Sequence, residues 1–467
     1  MSLRIRHIAP DATPGSKLSL EDLARVLRPE ILSDVLHECK AHEQRTRKLP
    51  AATVVLVCVA MNLYTTDCLA HVFFRLVSGL RWLLSDPGAS RVSKGALCQA
   101  RYRLGARPPV ALFKRVCAKP LAVPNTPGAF LFGLRPMALD GTTLDVPDTP
   151  HNVRAFGKPG ASRGTSAWPQ VRVVALSECA THAILDAGVW RHDVDERDAG
   201  RRLMRSVGPG TLLLWDRGFH SFTMVKAALA RGPGTHLLGR LPATVKPKVL
   251  RTLADGTQLV RLRPAGYYRG HRRAEQLTVR LLRYTLDDPN RPGHRIEHRL
   301  ITSLLDPEDA PAEELVLAYH ARWEFELAVD EIKTHQRPPQ QPLRSQKPVG
   351  VIQEIYGLLV AHYVIRAVMV EAARTVAPPP SRLSFTATLR IIREMVPEAQ
   401  RTAAADHPRL YRQLLADIVA TPLPPRASRS NPRVVKRKMS NFGVKNPSHR
   451  YWPQPTKSFR EAVVLLN

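Results

Sequence analysis

The chain reads as an α/β protein. A mixed sheet flanked by helices is interrupted by a β-rich insertion, preceded by an all-helical region and followed by a basic tail. Three observations predict this. Helical periodicity runs from about residue 17 to 120. Short apolar runs then alternate with a charged helical stretch between 137 and 215. Alternating strands and many arginines take over from 237 to 304. The expected boundaries are 1–120, 125–240, 241–304, 305–376 and 377–467.

In the first region Ser19 can cap a helix beginning Leu20-Glu21-Asp22, with apolar residues at Leu23, Val26, Leu27, Ile31 and Val35. A compact helix follows from Ser93, its N-cap, to Leu104, with Gly105 just past its end. Lys94, Gln99, Arg101 and Arg103 on that helix suit groove or phosphate contact, or form a solvated face. Gly and Pro from Pro120 to Gly133 mark a linker. Strands are expected at Met137–Leu139, Val171–Leu176, Ala183–Trp190 and Leu212–Trp215, with a helix from Asp195 to Val207. The β-rich insertion carries strands at Leu259–Leu262, Leu277–Leu282 and Ile296–Ile301. A helix begins near Pro311, with Glu313 and Glu314 complementing its dipole, and stops before Pro338-Pro339. A second, strongly apolar helix from Gly350 to about Arg374 is expected beneath the sheet. From Thr421 onward ten Lys/Arg face one acid, Glu461, so this Pro- and Ser-rich tail reads as disordered or ordered only on a partner.

The net charge of +29 over 467 residues makes nucleic acid the expected partner, because each phosphate contact releases counterions. An anionic membrane surface is the competitor, but no amphipathic Lys/Arg helix dominates. No signal peptide is visible, and the most apolar stretch, Leu49 to Met61, is 13 residues and too short to span a bilayer. Six cysteines without a CxxC pair read as free thiols in a reducing cytoplasm.

The sharpest signal is Tyr319, Arg322, Glu326 and Lys333. At 100° per residue these fall within roughly 60° on one helix, beside an apolar stripe of Ala318, Phe325, Val329 and Ile332. Four specified residue types at fixed spacing arise by chance on the order of once per 10⁵ positions. Such a row suits a phosphate backbone with a metal ion beside it. Two apolar strands end in Asp followed by Gly: Leu139-Asp140-Gly141 and Trp215-Asp216-Arg217-Gly218. A carboxylate ending a buried strand sits at the sheet rim, where open α/β sheets bind ligands, and the Gly lets a ligand approach. Asp after a strand is also a common turn former. Three converging carboxylates repel one another unless a divalent cation joins them, Mg²⁺ before Mn²⁺. Two such ions could serve phosphodiester chemistry. Asp145, Asp148, Glu324 and Glu331 are nearby acids left outside this site, Asp145 in an expected loop.

These residues resemble the DDE transposases of bacterial insertion sequences, specifically the insertion-sequence-four group defined by Tyr-x2-Arg-x3-Glu-x6-Lys. The segments Leu139-Asp140-Gly141-Thr142-Thr143 and Trp215-Asp216-Arg217-Gly218-Phe219 are similar to those around that group's two aspartates. The 110 residues from Asp216 to Glu326 resemble members with a β domain inserted before the glutamate. The region from Leu18 to Val116 resembles the group's N-terminal DNA-binding domain. The resemblance implies a ribonuclease H-like fold in which Asp140, Asp216 and Glu326 bind two Mg²⁺ ions, with Mn²⁺ as substitute. It implies cleavage at transposon ends and strand transfer into target DNA by a dimer, with a hairpin step in some members. Tyr319, Arg322 and Lys333 would contact phosphates. Trp323, about 100° from Arg322, would join the core or stack on a displaced base. Two rivals are a DNA-binding descendant without turnover and another metal nuclease of the same fold.

Overall fold

The computed structural model describes residues 27–41, 49–78, 92–161, 164–264, 275–320, 322–338, 341–376, 379–399, 401–424, 434–435 and 443–466. The expected cap at Ser19 and its first helical turns lie outside these.

The described residues of the N-terminal region form helices, as the periodicity predicts: α1 (Pro29–Glu38), α2 (Ala51–Ala60), α3 (Leu69–Ser78), α4 (Lys94–Leu104) and α5 (Arg107–Val116). Ser93 caps α4 by accepting from the Ala96 amide, and Gly105 closes it at φ 74°. α2 is apolar all round and almost wholly buried, as the interior position of that run requires.

A single ten-stranded sheet follows among the described residues. Its strands are β1 (Arg135–Asp145), β2 (Gln170–Glu178), β3 (Ile184–Arg191), β4 (Thr211–Trp215), β5 (Thr235–Arg240), β6 (Lys248–Thr252), β7 (Gln258–Leu262), β8 (Leu277–Leu286), β9 (His298–Thr302) and β10 (Val463–Leu465). The order is β3-β2-β1-β4-β5-β9-β8-β7-β6, with β10 pairing β8. β1, β4 and β5 run parallel and the other pairings are antiparallel, so the sheet is mixed. Helices α7 (Glu196–Leu203) and α8 (Phe222–Leu229) connect the parallel strands. Asp195 caps α7 and Ser221 caps α8.

Four expectations change. The β-rich insertion, expected as a unit of its own over 241–304, continues the same sheet, because β9 pairs with β5. β1 does not end at Leu139 but runs on through Asp145, because β2 keeps pairing with it to Asp145↔Gln170. Asp145 is therefore a strand residue, bonded by the Gln170 amide at 2.8 Å. The motif segment is not one regular helix. It comprises α9 (Ala312–His320), α10 (Trp323–Asp330) and a wider π-helical turn over Glu331–Gln336. At Arg322 the chain tightens, its amide bonding three residues back to Tyr319 O and its carbonyl accepting from Phe325. Finally, the end of the basic tail folds onto the sheet. Asp288 accepts from the Thr456 and Lys457 amides, Phe459 stacks on His320 with centroids 3.9 Å apart, and β10 follows. Apolar and capping residues among the charges carry this ordering: Ser458 caps the short α14 (Phe459–Ala462).

The long helix α11 (Pro348–Val376) is where the two halves meet. Among the described residues it alone is long and apolar enough to cross a membrane, and 89% of that window is buried inside the fold. It packs more against the N-terminal helices than beneath the sheet. A Cβ on Gly357 would stand 2.0 Å from the Cys58 carbonyl oxygen, so α11 and α2 touch through backbone. Asn62 seals the crossing by donating to Cys58 O at 2.8 Å and Glu354 O at 3.3 Å.

Candidate active site

The parallel register places two of the expected carboxylates. Leu139 on β1 pairs with Trp215 on β4, so Asp140 and Asp216, one residue on, sit side by side at the carboxyl end of β4. Asp140 lies mid-strand rather than at a strand end. The rim is created by its neighbour, since β4 stops at Trp215 while β1 continues. Asp216 caps the following turn, its Oδ1 accepting from the Arg217 amide at 2.5 Å. Asp140 Oδ1 accepts from the Gly141 amide at 2.7 Å.

The third carboxylate comes from α10. Arg322 Nη1 donates to Asp140 Oδ2 at 2.8 Å, and its Nη2 lies 3.5 Å from Glu326 Oε1. Four residues past Arg322, Glu326 stands one turn along the same side. One guanidinium thus joins the strand carboxylate to the helix carboxylate. Lys333 Nζ bonds Thr142 Oγ1 at 3.2 Å. Thr142 is on the same face of β1 as Asp140, so the motif segment lies along that face. Beneath it Phe325, Val329 and Ile332 pack with Leu144, Val173 and Ala175 around an apolar cavity. The predicted apolar stripe is the seam of that packing.

Burial pushes the Asp140 carboxyl up to about 6, against the pull of the Gly141 amide and Arg322; Asp216 and Glu196 push the same way as burial. Burial also works against the charge of Arg322, but Tyr319, Asp140, Asp216 and Glu326 outweigh it and hold the guanidinium above its ordinary value. Lys333 is depressed by burial. The buried Tyr319 phenol is pushed up by the same cause.

Other expected contacts fare differently. Arg322 is only 7% exposed and spent on two carboxylates, so it does not present its charge to a phosphate in this state. Arg101 is also buried, donating to Gln353, Ser345 and the Gly350 carbonyl; it ties α4 to α11 and does not present its charge at the surface. It faces inward because it lies three residues before the buried Leu104, on the core side of α4. Lys94, Gln99 and Arg103 are exposed, Arg103 also donating to Leu49 O. Trp323 is 52% exposed, so it is not a core residue.

Sequence reasoning missed three residues. Glu196 packs where Gly141 lacks a side chain: a Cβ there would meet its carboxylate at 2.8 Å. The space at Gly141 is therefore filled by Glu196, itself paired with Arg172 at 2.8 Å. His182 and Arg366 reach Glu331 in the core, and no spacing in the chain signals either.

No three His, Cys, Asp or Glu side chains among the described residues converge to metal-ligand spacing, and Arg322 bridges Asp140 and Glu326. The donors nevertheless fit a hard divalent cation. All are carboxylate oxygens, and Asp140 carries a burial cost that a nearby cation relieves.

Residues 17–114 match the family described as insertion element 4 transposase N-terminal, and residues 132–364 match the transposase DDE domain. The chain is 30% identical over 422 residues to the transposase InsG for insertion sequence element IS4 of Escherichia coli (strain K12), covering 90% of this chain and 92% of that one. Among solved structures it aligns with the piggyBac transposase synaptic complex with hairpin DNA at a TM-score of 0.41 and 12% identity, covering 88% of this chain and 87% of that chain.

Proposed function

Since the chain belongs to the DDE transposases of the insertion-sequence-four family, we propose that Asp140, Asp216 and Glu326 are the carboxylates that hold its divalent metal ions. The chain is a transposase and acts on DNA, and its family works with divalent metal. We read the ions as two Mg²⁺, replaceable by Mn²⁺, on a ribonuclease H-like core. The substrates in this reading are the terminal inverted repeats of an insertion sequence and a target duplex, brought together by a homodimer in the bacterial cytoplasm. The net charge of +29 supports a long phosphate interface.

The observation that carries the reading is the β1–β4 register, which sets Asp140 beside Asp216, together with the Arg322 bridge from Asp140 to Glu326. Asp140, Asp216 and Glu326 would hold the metal, which when bound would supply Lewis-acid chemistry for phosphodiester cleavage and transfer. The protein's own residues do the positioning. Arg322 neutralises Asp140 and Glu326, and would be free to face a phosphate if those carboxylates held a cation instead. Lys333, held at Thr142 on β1, lines the approach of a DNA strand, and Tyr319 is read from the motif as a further phosphate contact. Exposed Trp323, next to Arg322, offers a ring face to an unstacked base.

The test is cleavage of a labelled duplex carrying the element's own terminal repeat, with Mg²⁺ or with EDTA, for wild type and Glu326→Gln. Metal-dependent 3′-end cutting by wild type alone supports the assignment. Specific binding without cutting under any metal would point instead to a DNA-binding descendant.

A further inference from the structure

Behind the site lies a buried ionic cluster with no part in the chemistry described above. His182 sits in the hairpin between β2 and β3, 2% exposed, at φ 58°. A non-glycine residue in this left-handed region costs on the order of 1–2 kcal/mol, and such outliers persist where the surroundings impose them. Its Nε2 lies 2.7 Å from Glu324 Oε2 and its Nδ1 2.9 Å from Glu331 Oε1. Glu331 also receives Arg366 Nε at 2.9 Å, and His362 Nε2 lies 3.0 Å from it. Arg366 Nη2 reaches both Glu331 and His182 Nδ1. Burial opposes the Glu331 charge, but Arg366 and His182 outweigh it and hold this carboxyl well below the usual range.

Glu324 on α10 and Glu331 just past its end are seven residues apart, two turns along one side of the motif segment. Glu326 lies roughly 200° round the helix from Glu324, on the side facing Arg322. Glu331 also opens the π-helical turn that carries Lys333. One imidazole therefore grips α10 near both ends, from the side away from Glu326. Arg366 anchors that grip to α11.

We propose that His182 is a positioning residue: it fixes the rotation of α10, and so the placement of Glu326 at the metal site. The inference rests on the reading of Glu326 as a metal-holding carboxylate. Glu331 and Arg366 complete the clamp.

The experiment uses full-length protein on end-repeat DNA, comparing wild type, His182→Ala, Glu331→Gln and Glu326→Gln. Mn²⁺ occupancy is read by the paramagnetic signal of the free ion, DNA affinity by mobility shift, and stability by thermal melting. His182→Ala should raise the half-saturating Mn²⁺ by about 10–100-fold and slow cleavage to match, with DNA affinity unchanged. Added imidazole should restore part of both. Wild-type Mn²⁺ occupancy and cleavage in His182→Ala would overturn the clamp. So would a parallel loss of Mn²⁺ binding, DNA binding and melting temperature without imidazole rescue, which marks a merely structural role. If His182→Ala does not fold, Glu324→Ala removes the part-exposed arm of the same clamp and should shift Mn²⁺ occupancy in the same direction. Retention of Mn²⁺ binding and cleavage by Glu326→Gln would instead overturn the assignment of Glu326 itself.

Discussion

Replacing Asp140 by Asn should stabilise the metal-free protein while abolishing cleavage. The Asp140 carboxyl is raised from 3.8 to about 6, chiefly by burial and further by Asp216 and Glu196, despite Arg322 and the Gly141 amide. A shift of that size corresponds to about 3 kcal/mol between protonated and ionised forms. A raised carboxyl binds its proton more tightly folded than unfolded. Its contribution to stability is therefore fully present below pH 3.8 and lost as pH rises through about 6. Asn resembles the protonated form at every pH. Urea unfolding in EDTA should then show the Asn variant more stable by about 2–3 kcal/mol at pH 8, with the gap narrowing toward zero near pH 4. Adding Mg²⁺ should stabilise wild type more than the variant, because only wild type keeps the ligand. An Asn variant less stable than wild type at pH 8 would refute the reasoning. It would mean that the Arg322–Asp140 pair outweighs the burial cost.

Lys333→Ala should weaken DNA binding and lower the slope of log affinity on log salt by about 0.9, measured by titration at several salt concentrations; an unchanged slope removes Lys333 from the phosphate interface. Arg101→Ala should leave that slope alone but cost about 2–3 kcal/mol in denaturant unfolding, since Gln353, Ser345 and the Gly350 carbonyl lose their donor. Gly357→Ala gains about 1 kcal/mol of helix propensity yet drives a methyl into the Cys58 carbonyl. A net loss of about 2 kcal/mol or more is expected by thermal or urea melting. Phe459→Ala should cost about 1–3 kcal/mol, because the ring stacks on His320 and holds the last strand against β8; an unchanged melting curve would show that the tail contributes nothing.

Much of this site was legible in the chain. The Tyr-Arg-Glu-Lys spacing pointed to Arg322, Glu326 and Lys333, and two apolar runs ending in Asp-Gly pointed to Asp140 and Asp216. Spacing carried that far because an i, i+4 pair on a helix and a residue following a buried run are local geometry. The same local reasoning did not reach the burial of Arg101 or the ordering of the tail. It fixes which face of an element a residue occupies but not which neighbour covers that face. Arg101 meets α11 and Phe459 meets α9. Each outcome depends on segments more than a hundred residues away.

The sequence by itself determined the helical start, seven of the ten strands of the main sheet, the apolar stripe under the motif segment and the chemical types at the site, since all follow from periodicity and side-chain chemistry. Only the tertiary structure decided that β1 continues past Asp140, that the β-rich stretch extends the main sheet, and that Arg322 bridges two carboxylates. It also decided that His182 grips the helix carrying Glu326. Those are matters of strand register and long-range packing. Register is set by which strands and helices meet in space, and a buried ion cluster forms wherever distant charges are forced together.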